Sequence, residues 1–127
     1  MQFVADILDE VMELFPGQHI HIGGDAPLLD NWENCPRCQA RIRQLGLDGE
    51  AGLLGWFLSY AQSRLAQRGR QLIGWDEILD GGLADGAMVM SWRGAEGGIA
   101  AAAAGHEVVM CPHRFCYLDY RTCGPGD

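Results

Sequence analysis

The chain has 127 residues, 48% of them hydrophobic and 20% charged, with a formal net charge of −8. That length and composition suit one compact globular domain. The negative balance argues against nucleic acid or an anionic membrane surface as a partner, and no apolar run approaches the roughly 18 residues that insert across a bilayer.

The N-terminus, Met1 to Asp6, has neither a basic region nor a long apolar core, so it does not read as a signal peptide. It reads as a helix already under way, which implies residues upstream. The compartment is not set by the sequence. Phe3, Val4, Ile7, Leu8, Val11, Leu14 and Phe15 recur at helical spacing with acidic residues between them, and Pro16-Gly17 closes that helix. His19-Ile20-His21-Ile22 is a short strand ended by Gly23-Gly24-Asp25. Residues 27–34 read as a loop. A helix from about Pro36 carries Ile42 and Leu45 and stops at Gly46. A longer one from about Glu50 to Gln67 buries Leu54, Phe57, Leu58, Ala61 and Leu65, with Arg64 and Arg68 outside and Gly69 as its cap. Gln71 to Trp75 is the second strand, Asp76 to Leu83 a loop, and Ala87 to Trp92 the third strand. Gly98 to Ala104 forms a short alanine-rich helix, and Glu107 to Met110 the fourth strand.

Strands separated by helical crossovers predict a parallel sheet in an α/β fold. Short, mostly apolar strands fit a sheet covered on both faces. Ligands bind such sheets at the C-terminal ends of the strands. Those ends deliver Gly23-Gly24-Asp25, Trp75-Asp76-Glu77, Ser91-Trp92-Arg93 and Tyr117-Leu118-Asp119-Tyr120. Carboxylates and aromatic rings thus gather on one rim. Sugar rings offer apolar C–H faces that stack on tryptophan and hydroxyls that donate to carboxylates. Carboxylates also carry the acid and base steps of glycoside hydrolysis.

His19-Ile20-His21-Ile22-Gly23-Gly24-Asp25 resembles the His-Ile-Gly-Gly-Asp-Glu signature of glycoside hydrolase family 20, the β-N-acetylhexosaminidases. Gln71 to Leu79 is similar to that family's Leu-Ile-Gly-Trp-Asp-Glu strand. Val89 to Gly94, His106 to Met110 and Tyr117 to Tyr120 follow in the family's order, with Asn31-Trp32 and Cys38-Gln39 fitting the intervening loop and helix. The resemblance covers nearly the whole chain. It implies a partial TIM (β/α)8 barrel, approximately strands 4 to 7 with their helices. Residues 1–127 would then be part of a single catalytic barrel whose N-terminal and C-terminal portions are missing.

The resemblance also implies a substrate-assisted retaining mechanism on terminal N-acetylglucosamine or N-acetylgalactosamine, with no cofactor and no metal. The sugar's acetamido oxygen attacks the anomeric carbon to form an oxazolinium intermediate, which water opens. Asp25 would orient the acetamido group, Trp75 and Trp92 would wall its pocket, Tyr117 would hydrogen-bond its oxygen, and Asp119 would accept from sugar hydroxyls. The partners implied are N-acetylhexosamine-containing glycans. His19 and His21 are read as strand histidines satisfied by neighbours.

One position departs from the family. The glutamate that protonates the leaving oxygen should follow Asp25, and this chain has Ala26. Either glutamate became alanine in place, or it was deleted and a leucine gained at 28–29; both remove the acid. Asp30 and Glu77 are nearby carboxylates without a family precedent for that role. Three readings stay open: an impaired hydrolase, a non-catalytic N-acetylhexosamine-binding relative, and an inactive truncated product. The five cysteines, Cys35, Cys38, Cys111, Cys116 and Cys123, form a poor disulfide framework. Cys35-Pro36-Arg37-Cys38 has the spacing of half a zinc site, which would need a second close pair such as Cys111 and Cys116 around His113. The plainer reading is ordinary thiols.

Overall fold

A computed structural model describes residues 1–25 and 27–119. Ala26, Tyr120 and Cys123, which figure in the sequence reading, lie outside the described residues. The four apolar runs form four short strands: β1 (His19–His21), β2 (Gln71–Trp75), β3 (Met88–Ser91) and β4 (Val108–Met110). They pair in chain order and all in parallel. Ile20 sits opposite Leu72, Gly74 opposite Val89, and Ser91 opposite Met110.

Side chains alternate across a strand, so this register sorts the sheet into two faces. Ile20, Leu72, Gly74, Val89 and Ser91 share one face and are buried. His19, His21, Gln71, Ile73, Trp75, Met88 and Met90 share the other, which is more open except at buried Ile73. The described helices are α1 (Gln2–Leu14), α2 (Asp30–Glu33), α3 (Pro36–Leu45), α4 (Gly49–Ala66), α5 (Glu96–Ala103) and α6 (His113–Cys116), and α1, α4 and α5 cover the first face. Helix α4 packs on β2 and against α1, and α5 packs on β3 and β4. Leu8 and Met12 of α1, Leu54, Leu58, Ala61 and Leu65 of α4, and Ala101 of α5 meet Ile20, Leu72 and Val89 in one core. Each buried Leu, Ile or Val side chain contributes about 1.5–3 kcal/mol relative to exposure, so this layer outweighs any surface pairing. Arg64 of α4 donates from Nε to Asp9 Oδ1 of α1 at 2.9 Å, a partly exposed ion pair of a class worth only about 0–1 kcal/mol.

The predicted strands and long helices are present, with ends that coincide or differ by at most two residues. The apolar stripe of α1 is wider than the neighbours that cover it. Val4, Leu8 and Val11 pack on the core, but Phe3 and Leu14 are 75% and 67% exposed, and Ile7 and Phe15 are also exposed. Leu45 is likewise exposed at the end of α3. The predicted loop at 27–34 contains the single turn α2. The segment after β2 is a 3-10 turn, Asp76–Leu79, and the segment after β4 holds α6. Among the described residues no helix is long and apolar enough to cross a membrane.

Helix α4 meets the loop after the 3-10 turn with backbone on backbone. A Cβ at Gly55 would run into the Gly81 carbonyl oxygen, and one at Gly81 would lie 2.6 Å from the Gly55 nitrogen. In an open helix, Gly→Ala gains about 1 kcal/mol; here overpacking of about 1–3 kcal/mol opposes it. Gly55→Ala is therefore expected to lower the urea midpoint of unfolding, and a raised midpoint would show that the loop yields.

Candidate functional site

All four strands end at the same edge of the sheet, and the site grows there. β1 runs into Gly23 and Gly24, whose φ angles of +75° and +105° are strained for any side chain. Space demands glycine as well. A Cβ at Gly24 would lie 2.5 Å from Ile78 Cγ2, and one at Gly74 would lie 2.8 Å from the same methyl. Ile78 is fully buried. It fills the room that both glycines leave, under the turn that presents Asp25. The Trp75 amide donates to the Gly23 carbonyl at 2.8 Å, which latches this turn to the end of β2.

The rings form a continuous wall. The His21 ring meets Trp75 edge-on, with centroids 4.8 Å apart and planes at 62°. Trp75 meets Trp92 at 6.4 Å and 68°. Tyr117 stacks on Trp92 at 6.3 Å and 23°, and His113 lies 5.9 Å from Trp92. Edge-on and offset contacts at these separations are the favourable ones for aromatic rings. Backbone bonds deliver the far end of the wall. The Cys111 amide donates to the Ser91 carbonyl at 2.9 Å and the His113 amide to the Trp92 carbonyl at 2.8 Å, carrying α6 and Tyr117 back over β3.

The carboxylates divide into two sets. Asp76 is 1% exposed and accepts from Arg93 Nε at 3.1 Å, as a buried charge must be paired. Glu77 accepts the Trp92 indole N–H on both oxygens, at 3.1 and 3.0 Å, and lies 3.5 Å from Arg93 Nε. These two hold the wall in place from behind. Buried Ser91 braces the same region, donating to the Gly94 carbonyl at 2.8 Å and accepting from the Gly98 amide at 2.9 Å. Asp25 and Asp119 are exposed at the rim, and both act electrostatically on Tyr117.

The Tyr117 phenol is pushed upward in pKa, first by loss of solvent and then by the negative charge available at Cys111, Asp119, Asp25 and Asp76. It therefore stays protonated and can donate. His21 is pulled below 6.5, first by burial, while Asp25 works in the opposite sense. Its Nδ1 accepts from the Gly23 amide at 3.0 Å, which leaves the ring proton on Nε2.

The structure thus gathers Asp25, Trp75, Trp92, Tyr117 and Asp119 along one edge. Ala26 lies outside the described residues. His21 is satisfied by a neighbour, as its strand position implied, but its ring also extends the wall, a place signalled only by its sharing a sheet face with Trp75. Glu77 and His113 were not singled out for the wall either; no spacing in the sequence marks an indole hydrogen bond. Asp30 is exposed in α2, away from these ring contacts. Among the described residues no group of three or more His, Cys, Asp or Glu side chains could hold a metal ion.

Parallel βα units with an aromatic wall and exposed carboxylates gathered at the strand ends define a candidate site at the C-terminal rim of a barrel-type α/β scaffold. The family model for the glycosyl hydrolase family 20 catalytic domain matches residues 1–125. A β-hexosaminidase of Porphyromonas gingivalis is 52% identical over 125 residues, covering 98% of this chain and 16% of that protein. One from Vibrio furnissii is 34% identical, covering 93% and 20%. Among solved structures, the β-N-acetylhexosaminidase of Bacteroides fragilis superposes with a TM-score of 0.85 at 28% identity, covering 98% of this chain and 26% of that one. The exo-β-N-acetylglucosaminidase of Vibrio harveyi, solved with N-acetylglucosamine, gives 0.79 at 33%, covering 87% and 18%. The chain belongs to glycoside hydrolase family 20, and it spans between about a sixth and a quarter of the length of these relatives.

The lowered pKa of His21 has a stability consequence. The fold favours its neutral ring, so its contribution is fully present above pH 6.5 and is lost as pH falls from there through the lower folded value. Titration of the His21 ring protons by NMR is expected to show a midpoint below 6.5. The stability difference between the protein and His21→Asn should shrink over the same interval. A midpoint at or above 6.5 would contradict this account.

Proposed function

We propose that this segment supplies four strands and the acetamido-recognition side of the active site to a larger β-N-acetylhexosaminidase barrel. Its substrates are terminal N-acetylglucosamine or N-acetylgalactosamine residues of glycans. The observation that carries the reading is the wall of Trp75, Trp92 and Tyr117 at the strand ends, flanked by exposed Asp25 and Asp119.

The chemistry follows from what each group can do. An N-acetyl methyl needs an apolar cage, which Trp75 and Trp92 provide. The acetamido oxygen needs a donor, and Tyr117 keeps its proton. The acetamido N–H becomes more acidic as positive charge develops on the group, and Asp25 accepts it and stabilises that charge. The oxygen, so aligned, attacks the anomeric carbon and the glycosidic bond breaks with retention after water opens the oxazolinium ring. Asp119 holds sugar hydroxyls.

The leaving oxygen still needs a proton, and Ala26 cannot give one. Glu77 is a poor substitute, because both its oxygens are taken up by the Trp92 indole and it faces Arg93. General acid–base catalysis contributes about 10²–10⁴-fold, so the protein hydrolyses ordinary glycosides slowly. In Ala26→Glu, turnover of alkyl N-acetylglucosaminides should rise by about 10²–10⁴-fold, with little change for aryl glycosides whose leaving groups are already acidic. Equal rates for both proteins on the alkyl glycoside would sink this assignment.

Ala26 also favours a second reading, a sugar-binding relative that retains recognition without turnover. Calorimetry with N-acetylglucosamine or its thiazoline analogue separates the two, since binding without any detectable hydrolysis supports the binder. On either reading Trp92→Ala should weaken thiazoline binding about ten-fold or more, because stacked aromatic contacts add about 0.5–1.5 kcal/mol beyond the area they bury. Unchanged affinity would remove Trp92 from the pocket wall.

A further inference from the structure

Away from the strand-end wall, Cys35 and Cys38 occupy the start of α3. Cys35 is the N-cap residue, with φ −92° and ψ 110°, and Pro36 holds the first helical position. The Cys38 amide donates to Cys35 Sγ at 3.4 Å. Side chains three apart at a helix start are neighbours, and a disulfide bridges Cα atoms about 4.4–6.8 Å apart. Both cysteines are half-buried free thiols. A zinc site lacks its other ligands, since no group of three or more such side chains exists among the described residues. What the segment does contain is two thiols three residues apart, the sulfur of one receiving the amide of the other at the positive end of a ten-residue helix.

We propose that Cys35 and Cys38 form a redox-active dithiol that exchanges with low-molecular-weight disulfides, Cys35 attacking and Cys38 resolving. The two sulfurs are not equivalent. The Cys35 thiol is lowered in pKa, first by a hydrogen bond from the Cys38 side chain, then by the Cys38 amide, with Arg37 adding to the effect. The Cys38 thiol is raised, first by the same bond with Cys35. Cys35, whose sulfur accepts the Cys38 amide at the N-cap of the helix, is therefore the thiolate that attacks, and Cys38 resolves in the second step.

The electrons balance with an external disulfide such as oxidised glutathione. The Cys35 thiolate attacks one glutathione sulfur, forming a mixed disulfide and expelling one glutathione thiolate. Cys38 then loses its proton to solvent or to that thiolate and attacks Cys35 Sγ, expelling the second glutathione. The protein is oxidised by two electrons and one oxidised glutathione becomes two reduced molecules.

The pair adjoins the loop that leads away from Asp25. Cys38 lines a cavity of about 610 Å³ together with Gly24, Pro27 and Trp32. The Cys35 amide and Gln39 Nε2 both donate to the Trp32 carbonyl, at 3.2 and 3.0 Å. The redox state of the pair thus bears on how α2 is held against α3. The inference does not depend on the sugar assignment and would stand if that failed.

The protein is equilibrated with reduced and oxidised glutathione at varied ratio, quenched in acid, alkylated and cleaved at glutamate. Cleavage after Glu33 and Glu50 leaves both cysteines in one peptide. That peptide is expected to lose two hydrogens and both alkylation sites together as the oxidised fraction rises, while Cys111 and Cys116 stay alkylatable. Cys38→Ser should retain glutathione on Cys35. Cys35→Ser should acquire it on Cys38 about ten-fold more slowly. Persistent alkylation of both cysteines in the unmutated protein at every ratio would overturn the proposal without reference to either variant. Equal rates of glutathione addition to the two variants would overturn the assignment of attacking and resolving sulfur.

Discussion

The packing of Ile78 is the constraint on which the strand-end region depends. Its side chain is fully buried and occupies space that would belong to a Cβ at Gly24 or at Gly74. Three segments are thereby fixed to one another: the turn after β1, the body of β2 and the 3-10 turn after it. Removing most of a buried isoleucine costs about 2–5 kcal/mol, so the arrangement is not free to relax. Asp25 is exposed, yet the turn that carries it rests on this packed floor. The latch from the Trp75 amide to the Gly23 carbonyl adds direction to what packing has already placed.

Behind the wall, charge does structural work that is easily mistaken for catalysis. Trp75-Asp76-Glu77 puts two carboxylates next to a ring, and only partners distinguish them from Asp25 and Asp119. Asp76 is buried against Arg93, and Glu77 receives the Trp92 indole. The Arg93 side chain is 46% exposed, so solvent screens this pair and its loss costs less than the about 3–5 kcal/mol of a fully buried one, but burial of Asp76 still makes the role a structural one. Asp25 and Asp119 are exposed, with their charges felt at Tyr117. Solvated rim carboxylates cost little to keep vacant and can exchange water for sugar hydroxyls or an amide.

The layout of the sheet was legible in the sequence because period and punctuation carry it. Apolar runs bounded by glycine or proline mark β1, β2, β3 and β4, and α3 and α4 show their spacing. Which of two apolar stripes a helix buries was not legible. In α1, Phe3 and Leu14 stay exposed while Ala5 and Met12 are buried, because burial depends on where α4 and β1 stand and not on the helix alone. The rim aromatics were legible from their places after strands. The part played by His21, Glu77 and His113 was not, since cross-strand ring contacts and an indole-to-carboxylate bond depend on sheet register and on loop paths between strands. The single turns α2 and α6 are too short for any period to reveal.

On the proposed reading, recognition and leaving-group chemistry sit on separable parts of the rim. Recognition draws on several strand ends, on rings that brace one another, and on buried pairs beneath them. The proton for the leaving oxygen comes in this family from one side chain, whose position here is Ala26. Losing that side chain forfeits about 10²–10⁴-fold in rate, or roughly 3–5 kcal/mol of a total barrier reduction that runs to about 8–23 kcal/mol in enzymes. The remainder comes from orientation and from stabilising developing charge, and the groups proposed for both tasks are still in the chain. Gly24, Gly74 and Ile78 are fitted to one another beneath an exposed aspartate as core packing, which stability alone requires. Their fit makes the strand-end surface a rigid one, and rigidity is what a group that must align an acetamido oxygen for attack requires.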